Sequence, residues 1–350
     1  MSVLESDYGV QDGNIIKSYM ITNKNNLKIN IITYGGIITS LYVPNKQGKF
    51  DDIVLGYDNL IKYEEGNKFF GALIGRCGNR IRNSKFTLNN KEYTVQSNDG
   101  KNHLHGGNGG FHTVVWNGEI LNSKDNTIRL TYLSKDMEEG YPGNLQVEVQ
   151  YSLTDNNELV IHYSAISDKD TICNLTNHSY FNLAGHDSGS ILDHKLMINA
   201  SKFTPNDSES IPTGHIESVA NNPMDFRKLK RIGEDIDADY EQIRFGNGYD
   251  HNWLLDSNGD KNVLSAKLID ESSGRAMDMY TTNIGVQIYT GNFLDGSDIG
   301  KNKVPYKKRS GICLETQFVP NAINEKEFES PIIKAHKKYT QTTIYKFYTL

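Results

Sequence analysis

Apolar and polar residues alternate with a period of two along much of the chain, the pattern of strands with one buried face. Ile128, Leu130 and Tyr132 share one face of a strand, and Leu145, Val147, Val149 and Tyr151 share a face of the next. Leu153 and the alternating Leu159, Ile161 and Tyr163 bracket a turn at Asp155-Asn156-Asn157. Residues 14–43 read the same way in shorter runs, with Tyr34-Gly35-Gly36 interrupting them as a bend or bulge. Pro44-Asn45-Lys46-Gln47-Gly48 is a turn, and 53–57 a further short strand. Residues 86–88 and 93–95 flank Asn89-Asn90-Lys91 as a hairpin, and 262–270 pairs with 275–281 as another. Strands are also expected at 249–254, 286–290, 312–314 and, rich in β-branched and aromatic residues, 339–347. Helix is expected in two short places: 60–65, capped by Asp58, and the acidic stretch 234–241.

Turns recurring every 8–12 residues or so mark a sandwich or barrel. No repeat at fixed period and no low-complexity linker divides the chain. Residues 1–350 therefore predict one continuous all-β domain, antiparallel, with very little helix.

Composition narrows the partners. The hydrophobic fraction is 37%, which suits many strands with a wet face. Tyrosine is plentiful, 20 against 13 Phe and 2 Trp; a ring with a hydroxyl suits sheet faces and sugar sites. The net charge is -6 and no long basic run occurs, so no nucleic acid is expected. The densest basic cluster, Lys307-Lys308-Arg309, reads as a solvated turn. Cys77, Cys173 and Cys313 form no CxxC pair and are odd in number, so they read as buried hydrophobes in a reducing compartment. The first ten residues have neither a basic nor an apolar signal region, and no apolar run approaches the ~18 residues of a membrane span. The sequons at Asn174 and Asn177 would put glycans on the chemistry-bearing stretch described next, which fits a cytoplasmic protein.

That stretch is Thr176-Asn177-His178-Ser179-Tyr180-Phe181-Asn182-Leu183. Its rings, amides and hydroxyls around one imidazole suit a polar ligand with apolar faces, such as a sugar. His103 and His105 lie in a Gly-supported loop. With no Cys or carboxylate at ligand spacing, zinc is not expected. The loop is either solvated or presents His105 to a ligand. Asn79-Arg80, inside the run 71–82, reads as a surface strand or as a multi-donor contact to hydroxyls. Glu315 follows the apolar Ile312-Cys313-Leu314. Desolvation at the end of a buried strand raises a carboxyl pKa and makes a general base near neutral pH; an ordinary strand-edge Glu is the plainer reading. Asp250 and Gln287 are polar residues in apolar runs, and structural hydrogen bonding is the plain reading of each. There is no GxSxG, P-loop, GxGxxG after a strand, or HExxH.

Six segments in order resemble the aldose 1-epimerase (galactose mutarotase) family, over a span from about residue 30 to the C-terminus. They are Gly75-Arg76-Cys77-Gly78-Asn79-Arg80-Ile81, Leu104-His105-Gly106-Gly107, the His178 stretch, Tyr249-Asp250-His251-Asn252, Gly285-Val286-Gln287-Ile288-Tyr289-Thr290-Gly291-Asn292-Phe293, and Cys313-Leu314-Glu315-Thr316-Gln317. The resemblance implies a large antiparallel β-sandwich of the mutarotase type, a supersandwich. It implies no cofactor and no metal. It implies a hexose substrate whose α and β anomers are interconverted, on a monomer or homodimer. By motif position, Glu315 would be the general base at the C1 hydroxyl and His178 the general acid at the ring oxygen, with His105 acting at the same oxygen. Asn79, Arg80, Asp250 and Gln287 would hold the hydroxyls.

Phe318-Val319-Pro320-Asn321 stands where relatives have an aromatic and then Pro-Asp, and Ala335 where a turn Gly is common. Arg309-Ser310 also varies. These departures bear on substrate preference and turn geometry. Three rival readings remain at this stage. A hexose-6-phosphate epimerase would need cations such as Arg76 or Arg82. A non-catalytic sugar module could dispense with the acid or the base. A two-carboxylate glycosidase would use Asp250 as its second acid.

Overall fold

The alternating runs assemble into three large antiparallel sheets in the computed structural model, which describes residues 2–66, 68–122 and 126–350. The largest has nine strands. Its first half is the meander Asn117–Asn122, Thr127–Ser134, Leu145–Leu153 and Glu158–Ser167. The C-terminal strand Lys338–Thr349 then pairs with Glu158–Ser167 and joins it to Arg275–Thr281, Ala266–Asp270, Lys195–Ile198 and Lys230–Arg231. Residues opposed across these strands share a face, so the apolar parity read from the sequence becomes one wall of the core. Leu145, Val147, Val149, Tyr151, Leu159, Ile161 and Tyr163 are all buried.

A second sheet has six strands in the order Tyr180–Phe181, Ile312–Gln317, Gly285–Tyr289, Asp250–Leu254, Lys202–Thr204 and Glu217–Ser218. A third has five: Ser2–Gln11, Asn14–Thr22, Lys28–Ile32, Ile38–Pro44 and Phe50–Asp52. One apolar cluster draws on all three, including Ile29 and Leu41, Val147 and Phe347, and Trp253 and Leu314. This is the layered packing expected of sheets that each hide one face.

Some expectations change. The helix Leu60–Glu65 forms, but its cap is Asn59, whose side chain accepts from the Lys62 N–H. Asp58 instead accepts from the Asn302 N–H at 3.0 Å. The helix expected at 234–241 is displaced to Glu241–Gly246. The acidic stretch before it has no apolar stripe, whereas Gln242, Ile243 and Gly246 are buried. Ser2–Gln11 is a strand without alternation because it lies at a sheet edge with most residues partly or fully exposed. Arg309 is not solvated: it folds inward to donate to Asn292 Oδ1 at 2.5 Å and to the Asn247 carbonyl at 2.9 Å. Gly248 makes the room, since a Cβ there would stand 1.9 Å from Arg309 Nη1.

The five-stranded sheet is pinned to the loop after Gly285–Tyr289 by a buried ion pair. Lys301 Nζ donates to Asp52 Oδ2 at 2.5 Å and to the carbonyls of Thr39 and Val54 at 2.9 and 2.7 Å. Removing one partner of such a pair strands the other charge in the interior. Lys301→Met is therefore expected to lose ~3–5 kcal/mol in urea unfolding. Lys303→Met, on the exposed side of the same turn, should stay within ~0.5 kcal/mol of the parent.

Candidate active site

Strand parity builds the site. In Ile312–Gln317, Ile312 and Leu314 belong to the core, so Cys313, Glu315 and Gln317 point to the other face. Gln287 lies opposite Glu315, and Asn252 opposite Gln287. One rung along, Tyr180 and Tyr289 flank Cys313, and Asp250 lies opposite Tyr289. Pairing thus brings Asp250, Tyr180, Tyr289 and Glu315 to one surface from four distant segments. Glu315 sits within its strand, not at the strand's end.

His178 arrives from beside the sheet. The two-residue strand Thr176–Asn177 pairs with Leu73–Ile74, and His178 continues the contact. Its N–H donates to the Ala72 carbonyl at 2.9 Å, and its carbonyl accepts from the Gly71 N–H at 3.0 Å. The ring then lies with Nε2 3.6 Å from Glu315 Oε1 and Nδ1 3.5 Å from Cys313 Sγ. The His178 and Glu315 side chains are 5% and 2% exposed.

His105 is presented by a turn, as the Gly-supported reading requires. Its φ is +52°, and Gly106 follows at +88°. A Cβ on Gly106 would stand 1.8 Å from the Gly75 carbonyl oxygen, so only glycine lets the backbones approach. Asn79 and His105 clasp each other: the Asn79 N–H donates to His105 Nδ1 at 3.2 Å, and the His105 N–H donates to the Asn79 carbonyl at 3.0 Å. With Nδ1 accepting, the neutral ring carries its proton on Nε2. Arg80 is oriented through Nε, which donates to Asp99 Oδ2 at 2.7 Å.

A cavity of about 160 Å³ gathers Asn79, Arg80, His105, His178, Asp250 and Glu315, six of the seven predicted residues. Gln287 lies behind its wall and donates from Nε2 to Asp250 Oδ1 at 2.7 Å. Phe69, Tyr180, Tyr289 and Phe293 add aromatic walls, and Lys68 stands with them. Phe69 was not singled out from sequence. Its φ of +59° turns it from the core path of Phe70 towards three imidazoles, with ring centroids 4.8 Å from His105 and His112 and 5.7 Å from His178. The adjacent aromatics Phe69-Phe70 were the available signal.

Arg76 and Arg82 are elsewhere. Arg76 is buried against Ser134 and the carbonyls of Pro142 and Gly143. Arg82 pairs with Asp207 at 2.8 Å. A wider concavity of about 840 Å³ around Asp225 and Arg227 shares no residue with the site, and none of its lining residues is buried.

Burial decides the charges. It drives the His178 pKa down to about 3 and that of His105 well below its ordinary value, the neighbouring His178 adding to the latter. Burial, and then repulsion from Asp250, raises Glu315 well above the carboxylate range. Asp250 is raised by burial too. Neither member of the His178–Glu315 pair holds a charge cheaply: burial favours the carboxylic acid and the neutral imidazole.

Spacing along the chain sets His103 beside His105 as a pair of donors for zinc. His103 is in fact turned away, with Nδ1 2.6 Å from the Gln96 carbonyl and Nε2 2.5 Å from the Tyr141 hydroxyl. The fold instead brings Glu315 to His105 and His178, with the three donor atoms within 4.8 Å of one another. Two neutral imidazoles and a carboxylate are a sound donor set for a divalent transition metal, and equally an acid–base set.

The profile of the aldose 1-epimerase family matches residues 17–346. The galactose mutarotase of Bos taurus is 44% identical over 321 residues, which cover 92% of this chain and 91% of the relative. The aldose 1-epimerase of Escherichia coli K12 is 35% identical over 338 residues, 96% of each chain. The crystal structure of galactose 1-epimerase from Lactobacillus acidophilus NCFM superposes with a TM-score of 0.87 at 27% identity, covering 99% of this chain and 98% of that one.

Imidazoles held neutral by burial make the fold acid-labile. Burial pushes His178 and His251 to about 3, and His103 and His194 to about 4. Unfolded, each titrates near ~6.5. Between those values the unfolded chain binds more protons, so stability rises with pH and is lost as pH falls through the window. Glu315, being raised, has the opposite sign: its contribution is full below its unfolded value and lost as pH rises. Urea midpoints should therefore fall steeply from about pH 6 to 4. In His178→Asn the slope should be shallower by up to one proton. A flat profile would contradict the burial of these rings in neutral form.

Proposed function

We propose how the cavity works from one established premise: the chain belongs to the aldose 1-epimerase family. It is an aldose 1-epimerase, an isomerase that interconverts sugar anomers. That reaction opens a cyclic hemiacetal and recloses it with the other configuration at C1. Opening removes a proton from the C1 hydroxyl and delivers one to the ring oxygen. Glu315 takes the first and His178 supplies the second, while His105 donates a hydrogen bond from Nε2 to the same ring oxygen. Rotation about C1–C2 and the reverse transfers complete the turnover.

The observation that carries this assignment is the 3.6 Å approach of His178 to Glu315 in a cavity lined by both. With the ring closed, the working pair is carboxylate and imidazolium. With the ring open, it is carboxylic acid and imidazole. The total proton count is the same, so none enters or leaves. Burial weakens the imidazolium as a holder of its proton and strengthens the carboxylate as an acceptor. Both effects drive opening, and recognition of the closed sugar balances them.

Asn79, Arg80 and Asp250 hold sugar hydroxyls, with Gln287 acting through Asp250. Phe69, Tyr289 and Phe293 pack on the apolar face of the pyranose. Galactose, named for the relatives, is the proposed substrate, with glucose beside it and galactose metabolism as the setting. Arg76 and Arg82 are engaged elsewhere, which favours an unphosphorylated hexose. One core cluster running from Tyr19 to Phe347 supports reading 1–350 as a single domain. Three buried, unpaired cysteines support a cytoplasmic location. Among the described residues, no helix is long and apolar enough to cross a membrane.

Polarimetry on freshly dissolved α-D-galactose tests the roles. Glu315→Gln and His178→Asn are each expected to lower kcat by ~10²–10⁴-fold. KM should change far less. A variant that keeps the parent rate removes its residue from the chemistry.

A further inference from the structure

Behind Glu315 the sheet face continues as a polar row that the acid–base chemistry does not use. Asn252 lies across Gln287 in register, and Gln317 follows Glu315 by two residues on the same face. They are 1% and 0% exposed, and neither lines the cavity. Both ends of each amide lack a hydrogen-bond partner, as do Gln287 Oε1 and Glu315 Oε2. Six of the eleven such buried atoms among the described residues thus fall on four neighbouring side chains. Each unpaired buried polar atom costs ~1–3 kcal/mol, which makes six together untenable without a common partner.

Glycines let the row pack close to the backbone. Gly285 lies opposite Gln317, and the Asn252 amide packs over it: a Cβ there would stand 2.7 Å from Asn252 Oδ1 and 3.1 Å from the Gln317 carbonyl oxygen. The row offers amide N–H donors beside carbonyl and carboxylate acceptors, and water answers both.

We propose that Asn252 and Gln317 are positioning residues of the reaction: their unpartnered amides hold internal water between them and Glu315 and, through it, steady the rear oxygen of that carboxyl. The inference rests on Glu315 being the base. Donors aimed at a carboxylate favour its ionised form, which is the form that takes the C1 proton. With His178 Nε2 3.6 Å from the other oxygen, they act alongside Arg80, whose charge lowers the Glu315 pKa, against the desolvation and the Asp250 repulsion that favour the acid. Without them Glu315 stays protonated to higher pH.

Gln317→Met and Asn252→Leu, near-isosteric and apolar, test this. In each, the acidic limb of the kcat–pH profile should move up by about one unit, with kcat at neutral pH down about tenfold and KM within about twofold. A merely structural amide would lower the melting temperature and leave the limb in place, and an unmoved limb in folded variants overturns the proposal. A high-resolution crystal structure of the unaltered protein gives a reading that needs no variant. Water bridging either amide to Glu315 Oε2 is expected there, and amides bonded only to other protein groups would overturn it. Glu315→Gln separates the two levels. Parent activity in that variant removes the base itself. An inactive Glu315→Gln beside an unmoved limb in Gln317→Met removes only the positioning role.

Discussion

A carboxyl and an imidazole kept dry at 3.6 Å are the constraint to which the rest of the site answers. In water each would ionise independently of the other. Inside the protein, desolvation penalises both charges and favours the neutral form of each group. In the proposed reaction one proton shared by this pair suffices, because the closed and open sugars differ only in where protons reside. The machinery consists largely of ways to keep this pair close, dry and correctly aimed. His178 is clamped through its backbone to Gly71 and Ala72, and Glu315 is held in a central strand. Neither rides on a free loop.

The strand that carries Glu315 also carries core residues, and this couples catalysis to folding. Ile312 and Leu314 pack into the shared apolar cluster while Cys313, Glu315 and Gln317 face the site. A one-residue slip in register would put Glu315 in the core and Leu314 in the cavity. Every apolar contact that sets the register therefore also places Glu315, the proposed base. The adjacent strand repeats the arrangement, with Val286 and Ile288 inward and Gln287 and Tyr289 outward.

Much of this was legible in the sequence because burial and parity are local properties. The alternating meander, the hairpin at Asn89-Asn90 and the C-terminal strand fell where the pattern put them. The strained electrostatics of Glu315 followed from its apolar neighbours, and Asp250 and Gln287 turned out to be each other's partners. What was not legible depends on distant segments or on backbone dihedrals. Asp99 orients Arg80 across a turn, and Gly248 admits the guanidinium of Arg309. Phe69 faces the site only because its φ is positive. Asn252 and Gln317 lie within segments that resemble the family, but the placement of their amides against Glu315 is a fact of three dimensions.

The six segments that resemble the family are short and widely separated for the same physical cause. Each is a place where the chain turns a polar face, or a glycine, towards one small volume. Asn79 and His105 clasp each other across 26 residues, and the rungs through Glu315 draw on strands more than 60 residues apart. Between those points the chain need only keep strand parity, which many sequences satisfy. The site itself opposes folding: a raised Glu315 and a raised Asp250 are liabilities that an apolar face would not carry. Stability supplied by the rest of the sandwich has to cover them. A large three-sheet core around so small a cavity is the physical consequence.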